Sequence, residues 1–344
     1  QRVSHAQLFY GKPGAATYSL ALAFAQYASC KQPDAADSCG MCSSCKQFAS
    51  GNYPDLHYSF PVSNSANSSS KPISDEFRAE WQKFIVQQHY FPSLNDWQSF
   101  NNAGNKQPQL SVYESASINR KASLKSYSGG LKIFLIWLPE LFHHAAANKL
   151  LKNIEEPEPN TLFLLVSEDL EKVLQTITSR CQKLFVPLYK QTQVEQWLTK
   201  QAIDLPTAKQ AAALAEGNVL EALRIAEDSA RFHEYAVLFR DWMRACLRAR
   251  VINILEFVDT LAKKDRETIK EALSFYIQTV ELSLSASIKR EALNHPLFMK
   301  ASFDLNKFAP FIHEANAGAI HKELSAAYHD IARNGNPRIV LSDS

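Results

Sequence analysis

Four cysteines and one short run of small residues carry the first chemistry in this chain. Cys30, Cys39, Cys42 and Cys45 stand in C-x8-C-x2-C-x2-C spacing, two C-x2-C steps that share Cys42 and suit one tetrahedral zinc site. With four thiolates as ligands no coordination position is left for water, so the site is expected to be structural, fixing a segment too poor in apolar residues to fold alone. Gly40 lets the knuckle turn with its amides toward sulfur. The plainer reading is a set of ordinary reduced thiols. Six cysteines in a chain of 344 residues do not make a disulfide framework.

Ahead of the cysteines, Leu8-Phe9-Tyr10 is an apolar β-type run, Gly11-Lys12-Pro13-Gly14 is a turn, and residues 19–28 follow an Ala/Leu-rich helical pattern. That order is strand, phosphate loop, helix. A working phosphate loop reads G-x-x-x-x-G-K-[ST], because backbone N–H groups cradle phosphates, the Lys reaches the β- and γ-phosphates and the hydroxyl holds magnesium. Counted from Gly11, the places of Gly, Lys and Ser/Thr go to Ala16, Thr17 and Tyr18. The loop, with Gly11, Gly14, Thr17 and Tyr18 as its markers, keeps the frame and loses the chemistry, so no ATP is expected to bind.

These groups need a scaffold, and composition allows one. A hydrophobic fraction of 46% with only 10 Gly suits two or three globular domains with proper cores. A formal net charge of +2 is too small to predict nucleic-acid binding, so any DNA contact is expected to be local. No apolar window reaches the roughly 20 residues of a membrane span, and the first residues show no signal-peptide pattern, which points to the cytoplasm and to no membrane partner.

Residues 53–61 read as a second β-run leaving the knuckle. His57 within it could be offered as a metal ligand, but a histidine on a strand is the commoner case. Residues 63–70 are Ser/Asn-rich and read as an exposed loop. Residues 75–88 space Phe77, Trp81, Phe84 and Ile85 as a helix and, with Phe91, Leu94 and Trp97, form a helical insertion over about 63–112. Its aromatics could stack bases, although core packing is the usual fate of such a stripe. A further helix is expected over 112–126, with Ile118, Ala122 and Leu124 on its apolar side and Arg120, Lys121 and Lys125 on its polar side, a face read as ordinarily solvated, with a phosphate contact as the alternative. Residues 132–137 read as a buried parallel strand, residues 144–155 as an amphipathic helix stopped by Pro157, and residues 162–166 as another buried strand. A helix carrying Leu170, Val173, Leu174 and Ile177 is expected before Thr178-Ser179-Arg180-Cys181. Past Pro187 the pattern is helical throughout, with stripes such as Phe232, Tyr235, Leu238, Phe239, Trp242 and Ile254, Phe257, Val258, Leu261.

A cysteine knuckle set after the first helix of a phosphate-loop core resembles the subunits of the bacterial DNA polymerase III clamp loader, of the AAA+ superfamily. Pro54-Asp55-Leu56-His57 and the run Asn148-Lys149-Leu150-Leu151-Lys152-Asn153-Ile154-Glu155-Glu156-Pro157 are similar to segments of that family, and the ruined loop resembles its delta-prime branch. The resemblance implies an AAA+-like α/β domain over 1–187, holding the zinc module (about 30–45), a three-helix lid over 188–229 and an all-α oligomerisation collar over 230–344. It implies that an active relative would end the strand at 132–137 in Asp-Glu, where this chain has Trp137 and Leu138. Such a relative would carry Thr/Ser-Asn where this one has Ser167-Glu168, and a sensor Arg where it has Leu220. Thr178-Ser179-Arg180-Cys181 resembles the family's S-R-C motif, whose Arg enters a neighbouring subunit's ATP site. The implied role is a non-hydrolysing subunit whose Arg180, with Ser179, serves in trans. Its implied partners are the ATPase motor subunits, the clamp-opening subunit, primer-template DNA in the assembled complex and, indirectly, the sliding clamp. The family usually carries a short segment before the first strand, so one is expected ahead of Gln1. Two other readings compete, an active motor ATPase of the same fold and a zinc-dependent nucleic-acid module.

Overall fold

A computed structural model describes residues 4–63, 71–101, 107–289, 298 and 301–343. The expected loop at 63–70 therefore lies outside the described residues beyond Ser63, as does part of the helical insertion. The chain divides into two units, Gln1–Tyr189 and Lys190–Ser344.

The first unit is built on five strands, β1 Ala6–Tyr10, β2 Leu56–Ser59, β3 Lys132–Trp137, β4 Thr161–Ser167 and β5 Gln182–Phe185, in the order β2-β3-β4-β1-β5. All four pairings are parallel, with Leu8 opposite Leu165 and Phe134 opposite Phe163. β3 and β4 are buried along their whole length, as strands covered on both faces must be. Alternate side chains then feed two cores. Phe9, Ile133, Leu135, Trp137 and Leu164 point to the face covered by helix α1 (Thr17–Ser29) and the insertion helices α3 (Arg78–Gln87) and α4 (Leu94–Phe100). Leu8, Phe134, Ile136 and Leu165 point to the face covered by α5 (Val112–Ser123) and α6 (His144–Glu155). This is the expected α/β domain with a parallel sheet. The short α2 (Ser43–Ala49) follows the knuckle.

Two expectations fail locally. Leu124 caps the C-terminal end of α5 and is 61% exposed, off the apolar face that Ile118 and Ala122 do share. Before Arg180 only the single turn α7 (Gln175–Thr178) is helical, while Leu170 and Val173 sit in non-helical turns and still pack into the core. Apolar spacing alone marks burial there, not helix, because the segment is too short to propagate one.

The second unit is helical among its described residues. Helices α8 (Gln191–Lys200), α9 (Leu205–Leu214) and α10 (Val219–Glu227) come first, then α11 (Ser229–Leu247), α12 (Val251–Ala262) and α13 (Arg266–Lys289). Phe232, Tyr235 and Phe239 are buried at i, i+3 and i+7 on α11, against Phe275 and Tyr276 of α13, and Trp242 stacks on Phe257 with ring centroids 4.7 Å apart. These stripes are core, as their spacing implied.

Candidate metal centre and the strand-end edge of the sheet

The loop between α1 and α2 gathers its four thiols. The sulfurs of Cys30, Cys39, Cys42 and Cys45 all lie within 4.8 Å of one another, with Sγ–Sγ separations of 3.9 Å for Cys30–Cys42 and 4.0 Å for Cys39–Cys45. Four thiolates at a Zn–S distance of about 2.3 Å stand about 3.8 Å apart in a regular tetrahedron. The donor set and its spacing therefore fit zinc. Backbone amides support the sulfurs, since Cys39 N–H donates to Cys30 Sγ at 3.3 Å, Cys42 N–H to Cys39 Sγ at 3.3 Å and Cys45 N–H to Cys42 Sγ at 3.5 Å. Gly40 makes this geometry at φ +68°, with open space around it. Cys42 is also the N-cap of α2. Hydrogen bonds from the Cys45 and Lys31 amides bring its thiol down to about 6, while burial pushes Cys45 up to about 11. A bound cation would supply the missing stabilisation for the buried sulfur. His57 takes no part. It lies on β2 with its ring 5.0 Å from that of Phe134, and burial, then Lys121, lowers its pKa to about 4, so it is neutral.

At the strand-end edge of the sheet three segments meet. Gly11 to Tyr18 follow β1, Leu138 to Glu140 follow β3, and Ser167 and Glu168 end β4. Gly11 N–H donates to Ser167 O at 3.2 Å and Leu138 N–H to Val166 O at 2.8 Å, which ties the three together. Gly11 is required sterically, because a Cβ there would stand 2.3 Å from the Val186 carbonyl oxygen, and Gly14 takes φ 83°. The frame of a phosphate loop is thus present, and its key positions face inward. Thr17 and Tyr18 are buried. The Tyr18 hydroxyl accepts from Trp81 Nε1 at 3.2 Å, and the Trp81 ring lies 5.0 Å from that of Trp137. An indole from the insertion therefore fills the space between the residue standing at the loop's hydroxyl position and the residue ending β3.

Sequence reasoning missed the acidic pair beside this plug. Glu140 Oε1 accepts from the Glu168 and Asp169 amides at 2.8 and 3.2 Å, and its Oε2 is buried without a hydrogen bond among the described residues. Burial raises both carboxyls, and for Glu168 burial and then the nearby Glu140 bring the pKa to about 7. Two carboxyls at the end of β4 and just past β3 put no positive charge where a polyphosphate would need one. Glu140 carried no signal of its own, because nothing in Leu138-Pro139-Glu140 says which way the chain turns.

Arg180 and Ser179 stand elsewhere. They precede β5, which runs parallel to β1, so they lie at the strand-start edge while the phosphate loop follows the strand ends, on the order of 15 Å away along the sheet. The Arg180 side chain is 32% exposed; its Nε donates to Glu155 Oε2 at 2.9 Å and its Nη1 to Thr176 O at 3.0 Å. Ser179 Oγ donates to Thr176 O at 3.3 Å. Cys181 packs into the core, where burial lifts its thiol to about 11. Leu220 is buried in α10. No helix among the described residues is long and apolar enough to cross a membrane.

The sequence profile of the family described as DNA polymerase III, delta subunit, matches residues 1–188. A DNA polymerase III subunit delta' from Pseudomonas aeruginosa is 29% identical over 224 residues, covering 64% of this chain and 56% of that protein. The subunit delta' of Bacillus subtilis is 29% identical over 229 residues, covering 66% and 55%. The subunit gamma of Buchnera aphidicola is 28% identical over 180 residues, covering 52% and 36%. The chain thus spans about half the length of the delta-prime relatives it matches. The matched span holds the whole sheet, the four cysteines and Arg180, and the chain belongs to the DNA polymerase III delta-subunit family, alongside its delta-prime relatives.

Proposed function

We propose that the chain is a non-hydrolysing subunit of a DNA polymerase III clamp loader, working in the cytoplasm. In this reading it assembles with ATPase motor subunits and a clamp-opening subunit through its helical unit, and helps them to place the sliding clamp on primer-template DNA. Its own site is closed, and its contribution to hydrolysis is Arg180, supplied with Ser179 to the ATP site of a neighbour. One zinc per chain, held by Cys30, Cys39, Cys42 and Cys45, fixes the knuckle and does no chemistry.

The observation that carries this reading is the contact of Trp81 with both Tyr18 and Trp137. A working loop would use the position of Tyr18 to hold magnesium and the end of β3 to activate water, whereas here Tyr18 and Trp137 are buried in an aromatic core, and Thr17 offers no cation to phosphate. The position of Arg180 supports it from the other side. A guanidinium at the strand-start edge cannot serve its own chain's loop, yet it is well suited to a transferring phosphoryl group presented by another subunit. Equilibrium dialysis of the isolated chain with labelled ATP tests the closed site. No binding is expected up to millimolar nucleotide, whereas micromolar binding would return the chain to the motor-subunit reading.

A further inference from the structure

The turn between α11 and α12 carries an apolar surface that the packing of these helices does not use. Leu247, in the last turn of α11, is 56% exposed, and Val251, Ile252 and Leu255 at the start of α12 are 65%, 75% and 51% exposed. Val251 and Leu255 are four apart on one helix and Ile252 adjoins Val251, so they form a patch rather than scattered residues. The aromatic rings of the same two helices are turned inward, where Trp242 stacks on Phe257. The backbone of the turn is set without a partner. Ala249 takes φ 48°, its N–H donates to Cys246 O at 3.0 Å, and the Arg250 N–H donates to Ala245 O at 3.0 Å. That pair of bonds closes a helix on a left-handed residue and satisfies its last carbonyls.

The free charges on this turn are of one sign. Arg248 and Arg250 are exposed, with no carboxylate partner among the described residues. The first turn of α12 holds no acidic residue. Asp241, further back on α11, is held through both oxygens by Arg240 at 2.8 Å, and Glu256 stands a turn behind Ile252. α11 leaves α10 directly and is 19 residues long, which puts the patch about 28 Å from that start, at the end of a helical hairpin. The composition of the patch decides what it suits. Protein hot spots favour Trp, Tyr and Arg, with Leu and Val under-represented, and a nucleic-acid base finds no ring here to stack on. At a bilayer interface, aliphatic side chains leave water for acyl chains while arginines beside them stay at the level of the phosphates.

We propose that the α11–α12 turn is a peripheral membrane contact, in which Leu247, Val251, Ile252 and Leu255 enter the headgroup region of an anionic lipid surface and Arg248 and Arg250 meet its phosphates. The contact goes beyond the clamp-loader reading and does not depend on it. It needs no spanning helix, and none stands among the described residues. The expectation of no membrane partner came from the lack of a long apolar window, and four residues astride a turn leave no mark in such a window.

The test floats the full chain through a density gradient with vesicles of phosphatidylglycerol and phosphatidylethanolamine, and separately with phosphatidylcholine vesicles. Binding to the anionic vesicles is expected, weakening as salt rises. Leu247→Glu/Ile252→Glu changes only exposed positions, so it should keep the helical circular dichroism and bind vesicles about tenfold or more weakly. Arg248→Gln/Arg250→Gln should lose about fivefold per arginine. Ile252→Trp reads the place of contact, because lipids brominated along their acyl chains should quench its added fluorescence. No flotation with anionic vesicles at low salt, unchanged flotation of Leu247→Glu/Ile252→Glu, or no quenching of the Ile252→Trp variant overturns the proposal. So does a dimer in light scattering that Leu247→Glu/Ile252→Glu dissolves, since a second copy then covers the patch, or exclusion of that variant from the loader, since a neighbouring subunit then does. Failure of the unmodified chain to enter a loader would overturn the functional reading instead and leave the vesicle result standing.

Discussion

The indole N–H of Trp81 donates to the Tyr18 hydroxyl at 3.2 Å, joining an inserted helix to the position where a working phosphate loop keeps its metal-holding hydroxyl. Trp81 also stacks on Phe60 at 4.1 Å between ring centroids and meets Trp97 edge-on at 5.1 Å. Tyr18 and Trp137 are core residues, and the insertion supplies the ring that packs between them.

Stability should follow from that packing. Trp81→Ala is expected to cost about 3–5 kcal/mol through the cavity it leaves. Tyr18→Phe removes the acceptor and leaves a buried indole N–H unpaired, at a cost of about 1–3 kcal/mol. Urea denaturation followed by tryptophan fluorescence measures both. Neither variant should gain ATP binding, because the cavity carries no cation.

Metal removal should act locally. Cys42→Ser takes away one ligand and the N-cap of α2 together, so elemental analysis should fall from one zinc per chain to near zero. Helical content in the second unit should persist in circular dichroism of the variant. Carefully reduced, unchelated protein found without zinc would sink the metal assignment.

The acidic pair predicts a pH dependence of known sign. The Glu168 pKa is raised in the folded protein to about 7, from the ordinary 4.5. Between these values the folded state holds a proton that the unfolded state has lost, so this group's contribution to stability is full below about pH 4.5 and declines as the pH rises toward 7. Glu168→Gln should flatten that slope and raise stability at pH 8 by about 1–3 kcal/mol. Chemical denaturation at pH 5.5 and pH 8 reads it. An unchanged pH slope in the variant would show that Glu140 and Glu168 do not share the burden as their geometry implies.

Much of this was legible in the residues, and the reasons for the gaps are physical. Continuous apolar runs gave β3 and β4, because both faces of a parallel strand are covered, and C-x2-C spacing gave the cysteine cluster, because a knuckle is a local object. Trp81, Tyr18 and Trp137 each read as core or as lost chemistry, but their meeting joins residues 63 and 56 positions apart in the chain, which no local pattern encodes. Asp55 was visible only as part of a short signature, since its role is to accept from a loop more than seventy residues later. Leu124 was placed on the buried face because helical spacing continues on paper past the residue where α5 ends.

In the proposed role, Arg180 is the residue that would separate a working subunit from a bare scaffold. In the isolated chain its guanidinium bonds to Glu155, whose side chain is 55% exposed, and a surface pair of this kind is worth about 0–1 kcal/mol. Arg180→Ala should therefore leave the fold, the zinc content and assembly into the loader intact. Engaging a neighbour's phosphoryl group would exchange the single Nε contact with the Glu155 carboxylate for a more highly charged acceptor, so in the proposed role the ion pair holds the side chain without committing it. The assembled loader's ATPase, stimulated by DNA and clamp, should fall only in part, because one interface loses its transition-state charge while the others keep theirs. Arg180→Lys should rescue poorly, since a point charge on a flexible stem cannot make two parallel hydrogen bonds. Glu155→Gln separates holding from chemistry, and it should leave the turnover of the assembled loader within about twofold if the carboxylate merely parks the guanidinium. A correctly assembled Arg180→Ala loader that hydrolyses ATP and loads clamps at the unmodified rate would remove the arginine from the mechanism and leave this chain a scaffold.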